Sequence, residues 1–113
     1  MKSKIHQPIP ELPVKDVEKS QTYYRDMLGF TIGWIIPEKT IGAVSKGETV
    51  LFLGKRETIV PYTLWVFADN VEEIYQEFIE AAVKIIEDIQ NKPWGMRQFT
   101  IEDIDGNRFI FHD

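Results

Sequence analysis

The sequence has no cysteine, only two histidines among 113 residues, and fewer bases than acids. Without cysteine there are no disulfides, thiolate zinc sites or thiol nucleophiles, and the chain suits a reducing cytoplasm, the expected location. No apolar run approaches the roughly 18 residues of a membrane span. The polar stretch Met1–Pro10 does not read as a secretory signal. His6 and His112 stand at opposite ends, in no HxH, HxxxH or HExxH spacing, so no local zinc clasp exists. GxSxG, P-loop and GxGxxG motifs are missing as well, leaving esterase, nucleotide and dinucleotide readings without support. Thirteen basic against eighteen acidic side chains give a net charge of −5, which argues against nucleic acid as a partner. The deficit of base is uneven: residues 1–57 carry nine basic and seven acidic groups, residues 58–113 four and eleven. A charged partner would then be a cation, unless the acids serve only as a solvated face.

What is present is a patterned chain of one domain's length. A helix is predicted from the N-cap Asp16 through Val17, Gln21, Tyr24 and Leu28 to the stop at Gly29. A second opens at Asn70, with Glu73 completing a capping box. Its Val71, Ile74, Tyr75, Phe78, Ile79 and Ala82 form an apolar face that must be buried. Strands are predicted at Ile9–Val14, Phe30–Ile36, Ile41–Ser45, Val50–Leu53, Thr63–Ala68, Arg97–Glu102 and Arg108–His112. Lys46-Gly47 and Asp105-Gly106 supply turns, and Asp88–Gly95 reads as an irregular loop. Asp16-Val17-Glu18 and Asn70-Val71-Glu72 lie 54 residues apart, as do Tyr24 and Phe78. The expected class is therefore α+β: two βαβββ modules, residues 1–57 and 58–113, each too small to hold a core alone.

Carboxylates are plentiful but accounted for. Glu72, Glu73, Glu77 and Glu80 decorate the second helix, and Glu102, Asp103 and Asp105 flank a turn where Asp bonds nearby backbone N–H groups. His6 reads as part of a polar arm and His112 as part of a fraying last strand. Aromatics carry more information, with three Trp, four Tyr and seven Phe. Trp34 and Trp65 fall in strands, whereas Trp94 stands in the loop Lys92-Pro93-Trp94-Gly95, which is hard to bury wholly. Indole suits flat or cationic ligands, the competing reading being that all three Trp pack a core or a dimer.

The run Pro13-Val14-Lys15-Asp16-Val17-Glu18-Lys19-Ser20 to Leu28-Gly29-Phe30, with the ending Pro93-Trp94-Gly95 and Asp103-Ile104-Asp105-Gly106-Asn107, resembles the glyoxalase/bleomycin resistance/dioxygenase (vicinal oxygen chelate) superfamily. The resemblance implies two βαβββ modules with sheets curled around a cavity, usually in a homodimer. Enzymatic members hold a divalent metal, and their ligand positions fall here on Ile9, on Tyr62 or Leu64, and on Ile110. None is a suitable ligand. A metal-dependent lyase, isomerase or dioxygenase would need Glu11, His6 or His112 instead.

In length, in acidity and in the Pro93-Trp94-Gly95 loop the chain resembles the metal-free bleomycin resistance (drug-binding, antibiotic resistance) branch. That resemblance implies a non-enzymatic homodimer with no cofactor, holding a planar or cationic compound. The ligand-binding positions it implies are Trp34, Phe52, Tyr62, Trp65, Trp94 and Glu38, and Pro10 would direct an exchanged N-terminal arm. The loop Gly33–Lys39 carries a single acid, Glu38, where drug binders are richer in acids.

Overall fold

The computed structural model describes residues 2–113. Residues 2–9 run exposed and without regular structure up to β1 (Glu11–Val14). Then follow α1 (Val17–Leu28), β2 (Thr31–Ile35), β3 (Ile41–Lys46) and β4 (Thr49–Lys55). The second half repeats the order: β5 (Thr63–Phe67), α2 (Val71–Glu80), β6 (Ile85–Asn91), β7 (Arg97–Glu102) and β8 (Arg108–His112). Strand order is β1-β4-β3-β2 in one sheet and β5-β8-β7-β6 in the other. Each sheet is mixed, pairing its first and last strands in parallel and the others antiparallel. This is the expected pair of βαβββ modules, and neither sheet closes on itself.

Both helices begin as their caps dictate. Asp16 accepts the Lys19 N–H at 3.0 Å, and Asn70, 54 positions on, accepts that of Glu73 at 3.2 Å. Gly29 ends α1 at φ 75°, a left-handed conformation that glycine adopts without a Cβ clash. The apolar face of α2 is narrower than its spacing predicts. Val71 and Phe78 are buried and Ile74 and Tyr75 partly so, but Ile79 is exposed, and Ala82 lies past the helix end.

A second expectation fails at Asp88–Gly95. Residues 85–91 form an edge strand, pairing Gln90 with Gln98 and Asn91 with Arg97, and only Lys92–Met96 is a turn. A strand hydrogen-bonded on one side tolerates Glu, Asp, Gln and Asn, and residues 85–89 alternate in burial without alternating in polarity, so the composition imitates a loop.

The core is shared between modules. Leu12, Val14, Leu51 and Leu53 of one sheet and Phe99, Ile101, Phe109 and Phe111 of the other belong to one buried cluster with Tyr24 and Phe78. The turn after β7 fastens the halves together. Buried Asn107 donates to the Pro13 carbonyl at 3.0 Å and accepts the Tyr62 N–H at 2.9 Å. Asp103, also buried, accepts from Tyr24 Oη at 2.5 Å and from the backbone N–H groups of Asp105 and Asn107.

Candidate functional site

Strand alternation determines which side chains leave the core. In β5, Leu64 and Val66 turn inward while Thr63, Trp65 and Phe67 turn out. In β8, Phe109 and Phe111 are buried while Arg108, Ile110 and His112 take the other face. Register then builds rows across the outer face of the second sheet. Trp65, Ile110 and Thr100 form one row, and Phe67, His112 and Gln98 the next. His112 sits between two rings, 5.9 Å from Trp65 and 6.0 Å from Phe67, both edge-on. Trp94 joins this face from the Lys92–Met96 turn, where Gly95 takes φ 93°, and donates its indole N–H to Gln98 Oε1 at 3.1 Å. Lys92 Nζ lies 5.6 Å from the Trp94 ring centroid and 3.0 Å from Glu87.

The first sheet carries a smaller patch. Trp34 lies edge-on to Phe52, centroids 5.1 Å apart. The pairing of β2 with β3 slips between Ile32 and Ile35, and the buried Gln21 amide spans the slip, donating to the carbonyls of Trp34 at 3.0 Å and Ala43 at 3.2 Å. Gly42 leaves room for that amide, since a Cβ there would stand 2.6 Å from Gln21 Nε2.

These rings are unusually open: relative exposure is 46% for Trp34, 54% for Trp65, 58% for Trp94 and 65% for Phe67. Large apolar side chains clustered in water mark a surface that binds something.

Of the sequence-predicted site residues, the structure groups Trp34 with Phe52 on the first sheet and puts Trp65 and Trp94 on one face of the second. Tyr62 precedes β5 and is held by the Asn107 turn rather than in the Trp65 row; Glu38 lies exposed in the β2–β3 connection. Pro10 stands at the entry to β1, its carbonyl accepting the Phe52 N–H at 3.0 Å. A cavity of about 610 Å³ lies between the β3–β4 turn and the start of α2; Phe67 reaches it, but none of the predicted site residues lines it.

Three residues of the second face escape sequence reasoning. Phe67 was readable from its alternation with Trp65. Gln98 and His112 needed the register of strands that meet only in the fold, and His112 belongs to a paired strand rather than a frayed end.

A divalent metal, which the fold family implies for its enzymes, does not fit these side chains. Ile110 faces Trp65 and Thr100, and Ile9 and Tyr62 offer no hard carboxylate or imidazole. The substitutes are engaged or apart. Glu11 pairs with Arg56 at 2.6 Å in the first sheet, His112 lies between two rings in the second, and His6 is in the exposed arm. Among the described residues no three His, Cys, Asp or Glu side chains gather. The marked pKa shifts lie away from the aromatic face, at Asp103 of the inter-module turn and at Tyr23 and Tyr24 of α1 beside it. Among the described residues no helix is long and apolar enough to cross a membrane.

Comparison with known proteins agrees with the fold. The family model described as the Glyoxalase/Bleomycin resistance protein/Dioxygenase superfamily matches residues 4–111. The uncharacterized protein YraH of Bacillus subtilis (strain 168) is 28% identical over 117 aligned positions, covering 85% of this chain and 88% of YraH. A bleomycin-binding protein complexed with bleomycin superposes with a TM-score of 0.84 at 18% identity, over 96% of this chain and 98% of that one. The lactoylglutathione lyase of Agrobacterium tumefaciens superposes at 0.77 and 17% identity, over 96% and 94% of the two chains. At such identities the solved structures establish a shared fold, and that fold serves both a binder and a lyase.

Proposed function

The chain belongs to the Glyoxalase/Bleomycin resistance protein/Dioxygenase superfamily, and on that footing we propose that it is a metal-free binding protein. It captures a planar or cationic small molecule between aromatic side chains at a homodimer interface and makes or breaks no bond. The observation that carries this reading is the set of rings on outward sheet faces: exposed Trp34 beside partly buried Phe52 on one, exposed Trp65, Phe67 and Trp94 on the other. Stacked aromatics supply affinity for flat or cationic groups without needing a charged anchor. The acids concentrated in residues 58–113 favour a cation. One chain leaves both patches uncovered on separate sheets, so a second copy is the natural source of a facing wall, reached by the exposed arm ahead of Pro10.

Titration with bleomycin and a panel of flat organic cations, followed by Trp emission, tests the reading. Saturable quenching is expected, weakened by Trp65→Ala and by Trp94→Ala, while sedimentation gives twice the chain mass of 13.2 kDa. No quenching by any member of the panel would sink it.

A further inference from the structure

The second sheet's face carries two polar groups whose hydrogen-bonding roles are determined by their neighbours. The indole N–H of Trp94 can only donate, so the Gln98 amide must turn its oxygen toward it, as the 3.1 Å contact shows. Its NH₂ is then the remaining donor, on a side chain only 3% exposed. The main-chain oxygen of Asp113, 3.0 Å from His112 Nδ1, can only accept. Nδ1 therefore carries the proton, and in the neutral ring Nε2 keeps its lone pair as an acceptor. Gln98 and His112 stand directly opposite each other in the β7–β8 ladder, so the two side chains are neighbours on one face. Trp65 and Phe67 flank His112, and Trp94 covers Gln98.

We infer that this face recognises a flat ring whose edge presents a donor next to an acceptor, as in a lactam, a carboxamide or an aminopyrimidine. The ligand's N–H is taken by His112 Nε2, and its carbonyl or ring nitrogen receives the Gln98 amide. Apolar pockets commonly orient a ligand in this way, with a few polar groups set among aromatic walls. The inference rests on the aromatic face being a ligand site, and it adds the ligand's hydrogen-bonding pattern.

The test compares quinolin-2(1H)-one, which has the adjacent pair, with its N-methyl derivative, which lacks the donor, by calorimetry and Trp quenching. The lactam is expected to bind about tenfold tighter, the scale of one well-made hydrogen bond. His112→Phe, which keeps a ring between Trp65 and Phe67, should level that preference, whereas Gln98→Glu, which keeps an oxygen for Trp94 but loses the donor to the carbonyl, should weaken both compounds. If both compounds bind the native protein within about twofold of each other, the donor–acceptor inference is overturned and the aromatic site stands. If neither compound binds, the donor–acceptor inference is likewise overturned, while the binding reading stands or falls separately by the bleomycin and cation panel.

Discussion

Tyr24 holds the boundary between the two modules through one hydroxyl. It is fully buried among Phe30, Phe109 and Tyr23, and its Oη donates to Asp103. Burial first, then the Asp103 charge, pushes its pKa well above the usual 10.0, and the same two causes raise Tyr23 to about 12. Asp103 is itself raised by burial, although Tyr24 and the turn's N–H groups pull it down. Above pH 10 the folded chain therefore binds more protons than the unfolded one. Stability from the tyrosines is full below about pH 10 and falls as pH rises further. Tyr24→Phe is expected to cost about 1.5–3 kcal/mol near neutrality by leaving a buried carboxyl short of a donor. It should also flatten the alkaline decline, and urea melts at neutral and alkaline pH would show both effects. An equally steep alkaline loss in the variant would count against this account.

Among the elements, the β2–β3 pair decides where Trp34 stands. Its slip frees two carbonyls, Gln21 reaches across from α1 to satisfy them, and Gly42 supplies the space. A methyl group at residue 42 would also meet the Trp34 carbonyl and Val17 Cγ1, each at 3.0 Å. Gly42→Ala is accordingly expected to cost about 1–3 kcal/mol and to shift Trp34 emission, read by denaturant melts and fluorescence. Unchanged emission in a fully stable variant would show that Gln21 does not hold Trp34. At this scale both helices were legible in the sequence, because caps and 3.6-residue spacing act within a few positions. β6 was not, because the polarity of this edge strand does not follow its burial: Ile86 is exposed while Glu87 is partly buried.

The whole molecule depends on the turn after β7 for joining its halves. Asn107, with no exposed surface, links that turn to Pro13 of β1 and to Tyr62 at the start of the second module. Asp105 adds a further tie, its Oδ1 accepting the Lys15 N–H at 2.9 Å. Asn107→Ala leaves a buried carbonyl and a backbone N–H without partners and should cost about 2–4 kcal/mol. Amide exchange is expected to accelerate on both sides of the junction, in β1 and in β5. Acceleration confined to the β7–β8 turn would mean that the modules are joined mainly by their shared apolar core.

The sequence by itself determined the two helices, most strands, the 54-residue repeat of the α1 pattern in α2 and the prominence of the Trp residues. Each of these is written in side chains a few positions apart or in composition. Only the tertiary structure decided that Phe67, Gln98 and His112 share a face with Trp65 and Trp94, that Glu11 is paired with Arg56, and that Asp103 and Asn107 are buried. Those facts depend on register between β5, β7 and β8 and on packing between modules. Sheet register is set by pairings across tens of residues, and moving one strand by a single position exchanges its inner and outer faces.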